Sequence, residues 1–203
     1  MIDSIIFDFG NVFINLDIEK GFKESLLQLG INELPKDIIN INNSYETGKI
    51  STEEFISFYT EKFSHLTENQ LVDLWNIILK DFPKQRLEFL RALKAQNKYK
   101  LILLSNTNEL HINWIKERVS FYEEFKNCFD AFYLSHEIHL RKPNTDIFEF
   151  VLNTHHLKPE KCLFIDDNVD NIFTAKSLNI NTWHITPYKE DITELLSKQK
   201  HLL

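Results

Sequence analysis

The chain has 203 residues, 43% of them hydrophobic and 26% charged, which excludes a disordered polymer and provides for one sizeable core or a core with a smaller appendage. Thirty acidic residues against twenty-three basic ones give a formal charge of −7, and no basic run is dense enough for a nucleic-acid footprint, so an anionic ligand must be held by local groups. The only cysteines, Cys128 and Cys162, are far apart and each beside an apolar residue, which predicts reduced packing thiols. With no basic leader and no run near the roughly 18 apolar residues of a membrane span, the sequence predicts a cytoplasmic protein with no membrane or nucleic-acid partner.

In chain order, Ile5-Ile6-Phe7-Asp8-Phe9-Gly10 is a short apolar run that delivers one carboxylate to its own carboxyl end, where Gly10 lets the backbone turn. Residues 4–9 are the first predicted strand, and Asp8 lies where ligands sit in an open α/β sheet. From about residue 17 to 80 the period is helical. Phe22, Leu26 and Leu29 share one face and Phe55, Tyr59 and Phe63 another, while Leu71, Leu74, Trp75, Ile78 and Leu79 follow the i, i+3, i+4, i+7, i+8 pattern. Gly30 reads as a helix stop, and Ser51-Thr52-Glu53-Glu54 and Thr67 as helix openings, the first with capping-box character. The stretch is predicted to be a helical insertion whose aromatic stripes form its own core.

After Pro83, a helix through Leu87, Leu90 and Leu93 leads to a second strand over 100–104 that ends in Ser105-Asn106-Thr107. A helix from about Glu109, a third strand over 129–134 and a loop with Arg141-Lys142-Pro143 follow. Next come a helix through Ile147, Phe148 and Val151 and a fourth strand over 161–165 that ends in Asp166-Asp167-Asn168. A helix to about Leu178, a short strand over 181–184 and a last helix from about Glu190 complete the chain. Alternating helices and continuous apolar strands predict a doubly wound, mostly parallel α/β sheet. The changes of pattern near residues 14 and 83 divide the chain into a core of 1–14 and 83–203 and a helical unit of 15–82.

Asp8, Ser105-Asn106, Lys142 and Asp166-Asp167 all fall at strand ends or in the loops that follow. One chemistry uses the whole set: a carboxylate that attacks phosphorus, a hydroxyl and amide groups that hold phosphoryl oxygens, an ammonium that neutralises charge, and an acidic pair that retains Mg²⁺. Adjacent acids suit a hard, oxygen-seeking cation better than zinc. Each residue also has a plainer use. Asp8 can end a strand, Ser105 and Asn106 can form a turn, Lys142 can be a solvated cation, and Asp166-Asp167-Asn168 can cap the next helix. His136, His139, His155 and His156 lack a metal-ligand set. Glu46 and Lys49 can face a substrate or belong to a turn at Gly48.

Together these segments resemble the haloacid dehalogenase-like (HAD) hydrolase superfamily over almost the full length. Asp8-Phe9-Gly10-Asn11-Val12 is similar to its first motif, Leu104-Ser105-Asn106-Thr107 to its second, Arg141-Lys142-Pro143 to its third, and Phe164-Ile165-Asp166-Asp167-Asn168 with Asn171-Ile172 to its fourth. The insertion, including Tyr45-Glu46-Thr47-Gly48-Lys49-Ile50-Ser51, resembles the family's helical cap. Ser105-Asn106-Thr107-Asn108 and Asp166-Asp167-Asn168 look most like the small sugar-phosphatase branch, whose activity includes hydrolysis of glucose 1-phosphate. The resemblance implies a Mg²⁺-dependent phosphatase of a small phosphorylated metabolite. It makes Asp8 and Lys142 catalytic, Ser105, Asn106 and Lys142 substrate-binding, and Asp8, the Gly10 carbonyl, Asp166 and Asp167 metal ligands. Most phosphatases of the family carry an acid two residues after the nucleophile, where this chain has Gly10. General acid catalysis is typically worth about 10²–10⁴-fold, so a protein that binds a phosphorylated ligand with little turnover is the alternative. Metal-free dehalogenation is a third reading, disfavoured by the acidic pair.

Overall fold

Strand β1 (Ser4–Phe7) is buried along its whole length, as a continuous apolar run requires when both faces of a sheet are covered. The computed structural model describes residues 1–203 and places β1 at the centre of a five-stranded, wholly parallel sheet of order β3-β2-β1-β4-β5. The others are β2 (Lys100–Ser105), β3 (Ala131–Leu134), β4 (Cys162–Asp166) and β5 (Asn181–His184). The chain builds outward from β1 through β2 to β3, then returns to the other side of β1 for β4 and β5. That reversal opens a crevice between the carboxyl ends of β1 and β4, the usual ligand position in such sheets. Register brings their ends level: Phe7 lies opposite Ile165, and Asp8 N donates to the Ile165 carbonyl at 2.9 Å.

Alternation along the strands separates two apolar layers. Ile5, Phe7, Leu101, Leu103, Leu163 and Ile165 face the larger cluster, which contains Phe13, Phe125 and Phe129. It is covered by α5 (Lys84–Ala95), α6 (Glu109–Arg118) and α7 (Tyr122–Asn127). Ile6, Ile102, Leu104, Cys162 and Phe164 face the other, with α8 (Ser135–Ile138), α9 (Thr145–Thr154) and α10 (Val169–Ser177) on that side. Two departures from the sequence reading lie here. The helical stretch after Glu109 is broken at Val119 into α6 and α7, and the expected last helix is a 3₁₀ turn (Ile192–Glu194) followed by the single turn α11 (Leu195–Lys198). A capping box at Asp191 starts that turn.

Residues between β1 and β2 form α1 (Ile18–Leu29), α2 (Lys36–Glu46), α3 (Thr52–Lys62) and α4 (Glu68–Asn76) before α5. The caps fall where read: Gly30 is left-handed at φ +68°, and Ser51/Glu54 and Thr67/Gln70 form capping boxes. Leu29, Ile38, Tyr45, Phe55, Tyr59, Phe63, Leu71 and Leu74 make a third, separate apolar cluster. Its centre is Phe55, stacked on Tyr45 at 4.2 Å and edge-on to Trp75 at 4.7 Å. Phe22, expected to share the inner face of α1, is 47% exposed. Ile78 and Leu79 continue the apolar period of α4 but leave the helix. Asp17 N donates to Ile78 O at 2.9 Å and Lys80 N to Asn15 O at 3.0 Å, so the entry and exit segments of the insertion pair with each other.

Candidate active site

The backbone beyond β1 closes one turn, with Phe13 N and Ile14 N both donating to the Phe9 carbonyl. Asp8 is 8% exposed at the start of that turn. Gly10 does not need its freedom for a left-handed backbone. A Cβ there would fall 2.7 Å from Leu16 Cδ1 and 3.8 Å from Asp8 Oδ2, so the obstacle to a side chain is one flexible methyl group. No protein donor reaches the Gly10 carbonyl.

Lys142 comes from the loop between α8 and α9 and is 1% exposed. Asn106 fixes it by its backbone: Asn106 Nδ2 donates to Lys142 O at 2.8 Å, and Lys142 N donates to Asn106 Oδ1 at 2.9 Å. The ammonium then donates to Asp8 Oδ1 and to Asp166 Oδ2, each at 2.7 Å. Asp166, wholly buried at the end of β4, also accepts Asn168 N on Oδ1 at 2.7 Å and Asn171 Nδ2 on both oxygens at 3.1 and 3.0 Å. With two donors on each oxygen, its acceptor capacity is filled. Asp167 receives Asn11 Nδ2 on Oδ2 at 2.7 Å.

Carboxylate oxygens of Asp8, Asp166 and Asp167 lie within 4.8 Å of one another, with one ammonium among them. Burial, opposed by Lys142 and aided by the neighbouring acids, pushes the Asp8 carboxyl up to about 7. Burial likewise raises Asp167, against the Asn11 hydrogen bond. It pulls Lys142 down, but Asp166 and Asp8 outweigh it and hold the ammonium above its ordinary value. Three acids against one base leave uncompensated negative charge, and an all-oxygen donor set of this kind fits a hard divalent cation.

Ser105 is 2% exposed at the end of β2, its hydroxyl engaged only at 3.4 Å with the Asn106 carbonyl. The structure thus brings Asp8, Lys142, Asp166 and Asp167 together, sets Gly10 beside Asp8, and ties Asn106 to Lys142. Asn11, as the partner of Asp167, and Ser135 were not singled out in the sequence. Ser135 is fully buried, its one hydroxyl hydrogen lying between Glu46 O at 2.6 Å and Thr107 O at 2.9 Å while its oxygen accepts Thr107 N at 2.9 Å, which joins the insertion to the loop after β2. A lone serine after an apolar strand carries no signal of such a role.

Further bonds fasten the insertion to the same loops. Arg141 meets Glu46 Oε2 at 3.1 Å and also donates to Asn43; His139 Nδ1 donates to Thr47 O at 2.9 Å. Gly48, at φ +62°, lies so close to the His136 carbonyl that a Cβ would come within 2.0 Å of it. Trp75 Nε1 donates to Asn108 Oδ1 at 3.1 Å, and His111 Nε2 to the Trp75 carbonyl at 3.1 Å. A cavity of about 190 Å³, lined by Phe22, Glu46, Tyr59, Trp75 and His111 among others, lies in the insertion next to these contacts.

Comparison with known proteins gives this arrangement its relatives. A D-ribitol-5-phosphate phosphatase of Bacteroides thetaiotaomicron is 27% identical over 208 aligned positions, covering 97% of this chain and 100% of that protein. A HAD family enzyme from the same organism, crystallised as a magnesium complex, superposes with a TM-score of 0.83 at 32% identity, over 96% of this chain and 98% of that one. A HAD-like family hydrolase from Porphyromonas gingivalis superposes with a TM-score of 0.81 at 28% identity, over 100% and 98% of the two chains. Residues 2–179 match the haloacid dehalogenase-like hydrolase family, to which the chain therefore belongs.

Proposed function

We propose that the chain is a Mg²⁺-dependent phosphatase of a small phosphorylated metabolite, a sugar or polyol phosphate, that works through an aspartyl phosphate on Asp8. The observation that carries this reading is the buried Lys142 ammonium bonded at 2.7 Å to both Asp8 and Asp166 at the carboxyl edge of the sheet. Family membership and a phosphatase among the relatives support it. An Asp8 oxygen bonds to phosphorus as the ester P–O bond breaks, and the leaving oxygen takes a proton from solvent, one that the attacking water of the second step returns. Water then attacks the same phosphorus, the bond to Asp8 breaks, and inorganic phosphate leaves with the carboxylate restored.

Lys142 neutralises charge on the phosphoryl group, Ser105 donates its hydroxyl to a phosphoryl oxygen, and Asn106 both anchors Lys142 and offers its second amide hydrogen. Asp8, the Gly10 carbonyl and Asp167 would hold the cation. Asp167 Oδ1 accepts nothing from another residue, whereas Asp166 has no acceptor position left and serves to hold Lys142. Bound Mg²⁺ would offset the charge that three acids and a phosphoryl group bring together. Residues 15–82 act as a cap domain over the edge of the sheet, entered and left through the paired segments at 15–17 and 78–80. A cytoplasmic location agrees with two free, buried thiols, and no helix is long and apolar enough to cross a membrane.

Gly10 favours one second reading, capture of a phosphorylated ligand with little turnover, because no carboxyl stands there to protonate the leaving group. A panel of phosphorylated metabolites assayed for phosphate release with Mg²⁺ and with EDTA separates the two. The expected outcome is release from at least one sugar or polyol phosphate that stops in EDTA. Tight binding of a phosphorylated metabolite with no release in Mg²⁺ would establish the second reading.

A further inference from the structure

Every carboxylate of the cluster has at least one oxygen already engaged by the protein. Lys142 occupies Asp8 Oδ1; Lys142, Asn168 and Asn171 occupy both oxygens of Asp166; Asn11 occupies Asp167 Oδ2 at 2.7 Å. Asn11 is unusual among these donors. It is 9% exposed and left-handed at φ +54°, a conformation that asparagine tolerates better than most side chains. Its other end, Oδ1, accepts Leu16 N at 2.9 Å, so the amide is held at both ends and cannot follow a carboxylate that rotates.

We infer that Asn11 is a positioning residue that makes Asp167 a one-oxygen ligand and thereby sets the preference of the site for Mg²⁺ over Ca²⁺. The inference rests on the phosphatase reading above, in which Asp167 holds the cation. Mg²⁺ demands near-octahedral coordination by single oxygens, whereas Ca²⁺ accepts six to eight and often takes both oxygens of one carboxylate. The Asn11 amide, fixed at both ends, sets the plane of the Asp167 carboxylate through Oδ2 and leaves Oδ1 as the oxygen with no donor, so turning both oxygens toward one cation strains a buried hydrogen bond. Lys142 orients Asp8 through Oδ1 in the same way, and Asp166, with both oxygens filled, offers the cation neither.

The test is the ratio of Ca²⁺ to Mg²⁺ dissociation constants, measured by calorimetry on the full chain after EDTA treatment and titration with MgCl₂ or CaCl₂. Asn11→Gly keeps a left-handed backbone and deletes the amide. Loss of a residue that orients a metal ligand typically costs about 10–100-fold in affinity. Mg²⁺ binding should weaken by that order and Ca²⁺ binding by less, so that the ratio falls about tenfold. In an Asp167→Asn background the same Asn11→Gly change should leave the ratio where it was, as expected if Asn11 acts through Asp167. Asn11→Ala deletes the amide and adds no charge, at the cost of some strain at the left-handed backbone. It should move the ratio in the same direction, and it carries the test if Asn11→Gly does not fold. An unchanged ratio, equal losses for both ions, or a shift that persists without the Asp167 carboxylate would overturn the inference alone. A native chain that binds no Mg²⁺ would remove the metal reading and the inference with it.

Discussion

The helical insertion and the carboxyl edge of the sheet are held together by opposite means. In the insertion, Phe55 is wholly buried between Tyr45, Tyr59 and Trp75, and shape and apolar area provide the stability. At the sheet edge the buried groups are charged, and each is tolerable only through its partners: Lys142 between two acids, Asp166 under four hydrogen-bond contacts. The first kind of region loses stability in proportion to what is removed. The second is a strained balance in which a change can abolish chemistry without cost to the fold.

The largest expected effect belongs to Asp8→Asn. Phosphate release should fall on the order of 10⁴-fold or more, while the melting temperature in EDTA stays the same or rises, because one acid of a crowded cluster is gone. Steady-state kinetics and thermal unfolding of the same preparation check both halves. The contrast between regions sharpens with Lys142→Met and Phe55→Ala. Removing the partner of buried charges costs about 3–5 kcal/mol, and truncating a core phenylalanine costs about the same. Urea unfolding should distinguish them by rescue. Mg²⁺ should narrow the deficit of Lys142→Met against the native chain by compensating the acids, and leave that of Phe55→Ala as it was, because Phe55→Ala and the native chain gain alike from the bound ion.

A smaller effect is expected at the junction of the two regions. The half-buried His111 ring donates from Nε2 to the Trp75 carbonyl of the insertion and accepts Asn108 Nδ2 on Nδ1, and burial lowers its pKa to about 4. The unfolded chain, with an ordinary histidine pKa near 6.5, binds the proton more readily. Stability from this group is therefore full above about pH 6.5 and is lost as pH falls from 6.5 towards 4. Between pH 7 and pH 5 the loss should be about 2 kcal/mol. It should be absent from His111→Gln when unfolding midpoints are compared at the two pH values. A last change is Gly10→Asp, tested with Leu16→Ala to clear the methyl group 2.7 Å from the new Cβ. Native kcat/KM should favour aryl and sugar 1-phosphates over primary alkyl phosphates. The restored acid should narrow that gap by up to about 10²-fold.

The two regions also differed in how much of them could be read in advance. Apolar period and capping residues announced the insertion, and Gly30, Ser51 and Thr67 mark true helix ends, because capping is local chemistry. Ile78 and Leu79 misled, since period cannot reveal that residues 15–17 compete for their backbone. Asp8 and the Asp166-Asp167 pair were legible as acids that close apolar runs. The strand order that sets them side by side was not, nor was the bond from Lys142 to Asp8 across 134 residues. Asn106 was read as a holder of phosphoryl oxygens, and the structure adds its grip on the Lys142 backbone. The contacts of Asn11 and Ser135 depend on backbone angles and distances that no spacing encodes.

The central claim, that Asp8 carries the phosphoryl group, is tested most directly by trapping. The native protein is mixed with a cleaved substrate and Mg²⁺, quenched in acid and reduced with borohydride, which converts an aspartyl phosphate to homoserine; the peptide containing position 8 is then sequenced by mass spectrometry. Homoserine at position 8, present only with both substrate and Mg²⁺, is the predicted result. Phosphate release with no modification at position 8, or with modification at another acid, would contradict the account.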